Sequence, residues 1–264
     1  MARPKTLLKS TTSLWMLIWI FPALYFANHD VPIQLDLALS TPSRHHPWGC
    51  EAFGRDVLMA TLAGAGSSLL FAALATLLSA TLAILFVASA KTWSHQAGDF
   101  LDRAIDFVLS FPTLLVSLAI VAFLKPSPAT LIFALVLGSS PSLARLLSAR
   151  ADEVLAEAFV EAARGLGGHP LHIARRHLAP HLSGLVAIKI PAMLAGAILA
   201  EASLSFLGVG LPQGEPSWGA LLLNAKDYLI EAPHLMFFTG LPLFITILIL
   251  QLWGEALTRR QQNR

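Results

Sequence analysis

The sequence predicts an all-α, polytopic membrane protein with about six transmembrane helices, and three observations carry that prediction. Of the 264 residues, 55% are hydrophobic and only 13% charged, whereas an ordinary soluble domain has a charged fraction nearer ~25%. The apolar residues fall in long blocks, not in the periodic stripes of a water-soluble helix. The basic residues gather in alternate connections between those blocks, as they do in a chain threaded through a bilayer.

The blocks run from Ser13 to Ala27, Leu62 to Ala90, Ala104 to Leu124, Ala129 to Leu147, Leu182 to Gly208 and Leu235 to Leu257. Crossing the hydrocarbon layer takes about 20 helical residues, which the last five reach or nearly reach. The first is short and follows Arg3, Lys5 and Lys9, so a cleaved signal peptide competes with a first helix. Trp15, Trp19, Phe21 and Pro22, with no small-x-small cleavage site near Ala27, favour the helix, and the Trp residues and Tyr25 suit an interfacial belt. The second block carries Gly64, Gly66, Ser67, Ser68, Ser79 and Thr81, small residues that let helices approach closely in lipid. Ser110-Phe111-Pro112-Thr113 puts a proline in the first half of the third, where a kink is expected. Lys189, Pro191 and Glu201 lie in the fifth. Ionisable groups there make Lys189 and Glu201 candidates for a transport pathway or gate, although both lie towards the ends of the block, where snorkelling to the interface is cheap and is the favoured reading.

With six spans both termini share a side. Arg3, Lys5, Lys9, Lys91, Arg103, Arg145, Arg150, Arg164, Arg175, Arg176, Arg259, Arg260 and Arg264 fall on that side, and Arg44, Arg55, Lys125 and Lys226 on the other. The positive-inside rule therefore places both termini in the cytoplasm. The expected layout is a cytoplasmic N-terminus at 1–12, a membrane domain at 13–257 and a cytoplasmic C-terminus at 258–264. A cytoplasmic loop at about 148–181 and outer segments at about 28–61 and 209–234 connect the spans.

In the first outer segment, Asp56 suits an N-cap for the second helix and Gly54 a turn before it. His45 and His46, with Cys50 four residues on, offer nickel-type ligands. Adjacent histidines seldom point together, however, and no cluster completes a shell, so a surface loop and no metal site are expected. A single cysteine cannot form an intramolecular disulfide, and a net charge of +2 is too small to argue for nucleic acid. There is no P-loop and no catalytic arrangement of serine, histidine and acid, so neither ATP binding nor enzymatic activity is expected of this chain.

The polar stretch Ala158 to His181, AFVEAARGLGGHPLHIARRHLAPH, stands apart from the blocks. Ala158 to Leu166 reads as a helix with Glu157 and Glu161 near its start and Arg164 towards its end, in keeping with the helix dipole. Gly167 and Gly168 stop it in the manner of a left-handed cap, and Pro170 opens a second helix. Leu171, Ala174 and Leu178 share one face of that helix, which Pro180 ends. Two helices about a glycine corner, bearing charge and apolar side chains, make a docking knob; a solvated basic loop that only sets topology is the alternative.

Glu161-Ala162-Ala163, three residues, then Gly167 resembles the E-A-A-x-x-x-G signature of permease subunits of bacterial ABC importers. The run EAARGLGGHPLHIARRHLAPH is similar to the version found in the dipeptide, oligopeptide and nickel permease family. HPWGCEAFGRD, His46 to Asp56, resembles that family's H-P-x-G-T-D-x-x-G-R-D, and EASLSFLGVGLPQGEPSWG, Glu201 to Gly219, resembles its outer-loop signature. Cys50 stands for the family's threonine, Glu51 for its aspartate, and His177-Leu178-Ala179-Pro180 for the closing I-x-L-P. The resemblance implies a type I importer permease, located in the bacterial inner membrane and importing peptides, nickel or a related small solute. Its implied partners are a second similar permease, two cytoplasmic ATPases that bind ATP and Mg, and an extracytoplasmic binding protein. Glu161, Ala162, Ala163, Gly167, Pro170, Leu171, Arg175 and Leu178 would dock the ATPase, with Glu161 bonded to the corner or to that partner.

Overall fold

A computed structural model describes Trp19, residues 31–211 and residues 215–262. Apart from Trp19, the first apolar block lies outside these residues. The described chain is helical: α1 (Val57–Trp93), α2 (His95–Leu109), α3 (Thr113–Phe123), α4 (Pro128–Leu155), α5 (Ala158–Gly165), α6 (Pro170–Ile173), a π-turn (Ala174–Leu178), α7 (Ala179–Phe206), α8 (Trp218–Lys226) and α9 (Pro233–Gln262). Four continuous spans are long and apolar enough to cross a membrane: α1, α4, the run Pro170–Phe206 and α9. A fifth exists only as the bent pair α2 and α3, whose axes diverge by 83°. Together with the first block, this is compatible with six crossings.

Side chains start most of these helices. The Asp56 carboxylate accepts the Met59 amide at 3.0 Å, as expected, and Gly54 turns the chain before it at φ 71°. Ser94, Ser127 and Ser217 cap α2, α4 and α8 in the same way, each taking up an amide that the first helical turn leaves unpaired.

The third block is broken, not a single kinked helix as its proline led one to expect. Pro112 has no N–H to donate and disfavours helical backbone at Phe111. Consequently, α2 closes with the Ser110 and Phe111 amides on Phe107 and Val108 carbonyls, and Pro112 opens α3 with ψ 121°. Residues from Ala104 to Leu109 thus belong to α2, which buries Gly98 and Ile105 and leaves Phe100 and Phe107 exposed.

At the centre is α1, which packs against α2, α4, α7 and α8. Its buried face is made of small residues, among them Gly64, Ala65, Ser68, Ala72, Ala75 and Ser79, so neighbouring backbones come close. A Cβ at Gly64 would lie 3.1 Å from the Ser217 carbonyl carbon. Ser79 and Ser139 join α1 to α4 through a hydroxyl pair at 2.7 Å.

Candidate functional site

The polar stretch forms a knob at the Trp93 end of α1. Helix α4 runs past its apolar block to Leu155 before α5 begins. At the end of α5, the Gly168 amide bonds to the Ala163 carbonyl and the Gly167 amide to Arg164, both at 2.9 Å, with Gly167 left-handed at φ 83°. This is a Schellman cap, which satisfies carbonyls the helix end would otherwise orphan. Gly168 is required for a reason of its own, which the motif glycine at Gly167 does not disclose: a Cβ at Gly168 would come within 2.6 Å of the Ala163 oxygen. His169 then caps α6, its Nδ1 accepting the Leu171 amide at 3.3 Å, with half-buried Pro170 as the first helical residue.

Val160, Ile173, Ala174 and Leu178 pin the knob to the bundle, packed with Leu147, Ala151 and Val154. Leu178 is fully buried and belongs to this packing, so it does not form part of the knob's outer face as expected. Exposed instead are Glu161, Ala162, Arg164, Arg175 and Arg176, with Leu166 at 90% and Leu171 at 55% relative exposure, while Ala163 is half-buried. Among the described residues no hydrogen-bond partner meets the Glu161 carboxylate, so it is not bonded to the glycine corner.

Pro180 does not end the second helix. It lies in the first turn of α7, and the π-turn before it lets the Ala179 amide reach back to Ala174. Widening the turn accommodates a residue that cannot donate to a carbonyl four positions back. The second half of the knob therefore continues into a membrane span as one helical run from Pro170 to Phe206.

A charge cluster beneath the knob was not foreseen. Lys91 Nζ donates to Asp102 Oδ2 at 2.8 Å and to Asp152 Oδ1 and Oδ2 at 2.9 Å, while Ser148 Oγ donates to Asp102 Oδ1 at 2.5 Å. One lysine thus ties the end of α1 to α2 and α4. In the sequence Lys91 reads only as one of the topology charges, because nothing in its spacing discloses a pairing over 61 positions.

The two candidate pathway residues are not brought together. They share α7 and stand 12 positions apart, about 18 Å along the axis. Lys189 is half-buried, and no described residue pairs with it. Glu201 does not snorkel: it is fully buried, accepting Ser68 Oγ on Oε2 and Ser205 Oγ on Oε1, both at 2.8 Å.

At the opposite end of α1, Asp56 also pairs with His46 Nδ1 at 2.8 Å, and Cys50 is fully buried. Among the described residues no group of His, Cys, Asp or Glu is placed to hold a metal. Burial raises the Glu51 carboxyl above its ordinary pKa, and Arg55, with Nε 3.6 Å from Oε1, opposes that shift.

The fold and knob define a multi-pass membrane protein that presents a packed, mixed-polarity element at one end of its bundle. Residues 85–263 match the family of binding-protein-dependent transport system inner membrane components, and the chain belongs to that family, the permeases of ABC importers. A putative peptide transport system permease protein of Brucella suis biovar 1 is 36% identical over 217 residues, covering 82% of this chain and 73% of the relative. The glutathione transport system permease protein GsiD of Escherichia coli O157:H7 is 30% identical over 252 residues, covering 94% and 83%.

Proposed function

We propose that this permease imports short peptides or a related small solute across the bacterial inner membrane, driven by ATPases that dock on the knob. Both termini and the knob lie in the cytoplasm. A second homologous permease completes the pathway, two ATPase subunits hold ATP and Mg, and a binding protein delivers solute from outside. The names of the peptide and glutathione relatives support the solute class. One observation carries the docking assignment: Leu166 and Leu171 stand exposed on a knob whose own core is already filled. Exposed apolar side chains ringed by charge are what a protein partner covers.

In this reading Glu161, Ala162, Arg164, Arg175 and Arg176 form the polar rim around Leu166 and Leu171. Gly167 and half-buried Ala163 and Pro170 hold the rim's shape. ATP-driven closure of the ATPases moves the knobs, and the permeases alternate between inward and outward openings. The test is co-purification of the ATPase with wild type, Leu166→Asp and Leu171→Asp from membranes. Both changes fall on exposed positions, so the permease accumulates normally while ATPase recovery drops at least about tenfold. Undiminished recovery and transport in both variants would refute the assignment.

A further inference from the structure

The buried Glu201 carboxyl lies at the end of the bundle away from the knob, and its surroundings are unlike those of a pathway charge. Its hydrogen-bond donors are hydroxyls, and no Lys, Arg or His among the described residues pairs with it. Ser68 Oγ, which donates to Glu201, also accepts the Trp218 amide at 3.1 Å. That amide belongs to the first turn of α8, where no intrahelical acceptor exists. A relay thus runs from the start of α8 through α1 to the carboxyl on α7.

Shape restricts α8 to the same place. The Trp218 ring is fully buried, donates Nε1 to the Thr61 carbonyl at 3.0 Å and meets Trp19 edge-on at 5.4 Å. A Cβ on Gly219 would lie 2.5 Å from the Ala202 oxygen, so the backbone of α8 rests directly on α7. We propose that Glu201 is a positioning residue for transport: as a hydrogen-bond acceptor it seats α8 between α1 and α7, and its charge takes no part in the pathway. Because α7 continues unbroken into the knob, motion of the knob reaches this seat along one helical run. That last step rests on the docking reading above; the seat itself does not.

The test uses the full importer in membranes, in a Cys50→Ala background carrying Ala225→Cys. Ala225 is buried where α8 meets Val57 and Leu235, so a membrane-impermeant maleimide reports whether α8 is seated. Glu201→Gln keeps an acceptor for Ser68 and a polar group for Ser205. Its labelling rate should stay within about twofold of the parent, and transport within about threefold. Ser68→Ala and Glu201→Ala leave partners unpaired and should raise labelling about tenfold or more, lowering maximal transport rate with KM little changed. ATPase co-purification should be unchanged throughout, which separates failure of the seat from failure of docking. Loss of transport in Glu201→Gln with parental labelling would assign Glu201 a charged role and overturn the proposal. Parental labelling in Ser68→Ala would overturn it as well, even if Glu201→Ala did not accumulate.

Discussion

Gly167 and Gly168 are adjacent glycines with different duties. At Gly167 the backbone is left-handed but the space around it is open, so Gly167→Ala pays only the conformational penalty, about 1 kcal/mol. At Gly168 a methyl group meets the Ala163 carbonyl, and that carbonyl is the acceptor that closes the cap. Gly168→Ala is therefore expected to reduce ATPase recovery and transport more than Gly167→Ala, and equal or reversed effects would contradict the cap geometry. The sequence motif pointed to Gly167 because the signature's glycine falls there; the clash at Gly168 depends on a carbonyl position that no spacing encodes. Glu51 offers a pH-dependent counterpart at the other end. A buried carboxyl with a raised pKa favours its protonated form, so its stabilising contribution is present below the unfolded value and lost as pH rises through the folded value. Glu51→Gln should thus raise the melting temperature of the detergent-purified protein at pH 7 and have little effect near pH 4, as thermal unfolding across pH will show.

Among the elements, long apolar runs were the most legible and their interruptions the least. The blocks beginning at Leu62, Ala129, Leu182 and Leu235 all became membrane-length helices, extended at their ends by capping residues and polar turns that hydropathy does not register. Two prolines were misread in opposite senses. Pro112 breaks its helix because an amide is missing where α2 would have continued, whereas Pro180 is absorbed by a π-turn at the start of α7. The Lys91 cluster decides how α1, α2 and α4 meet. Lys91 is nearly buried, but Asp102 is partly exposed and Asp152 is 60% exposed, so solvent screens part of the attraction. Lys91→Met should destabilise the protein by about 1–2 kcal/mol, below the cost of breaking a fully buried pair. A double-mutant cycle with Asp102→Asn, followed by thermal unfolding, should return a coupling of about 1 kcal/mol, and strict additivity would show that the pair contributes nothing.

At the scale of the whole molecule, the direction of the bundle in the membrane is expected from the distribution of its basic residues. What the structure adds is a pair of positions at which that direction is measurable. The chain has one cysteine, Cys50, and it is fully buried, so the native protein should be silent to a membrane-impermeant maleimide. Leu166 on the knob is 90% exposed, and Ile230, between α8 and α9 at the far end, is 97% exposed. A cysteine at either position lies outside the bundle's packing and leaves the fold intact. With the knob in the cytoplasm, Ile230→Cys should be labelled in cells whose inner membrane is accessible from outside, while Leu166→Cys is labelled only in inverted vesicles. The reverse pattern would turn the molecule over and remove the knob from any ATPase. If ATPases occupy the knob as proposed, adding purified ATPase to inverted vesicles should also slow labelling of Leu166→Cys and leave that of Ile230→Cys, measured in cells, unaffected.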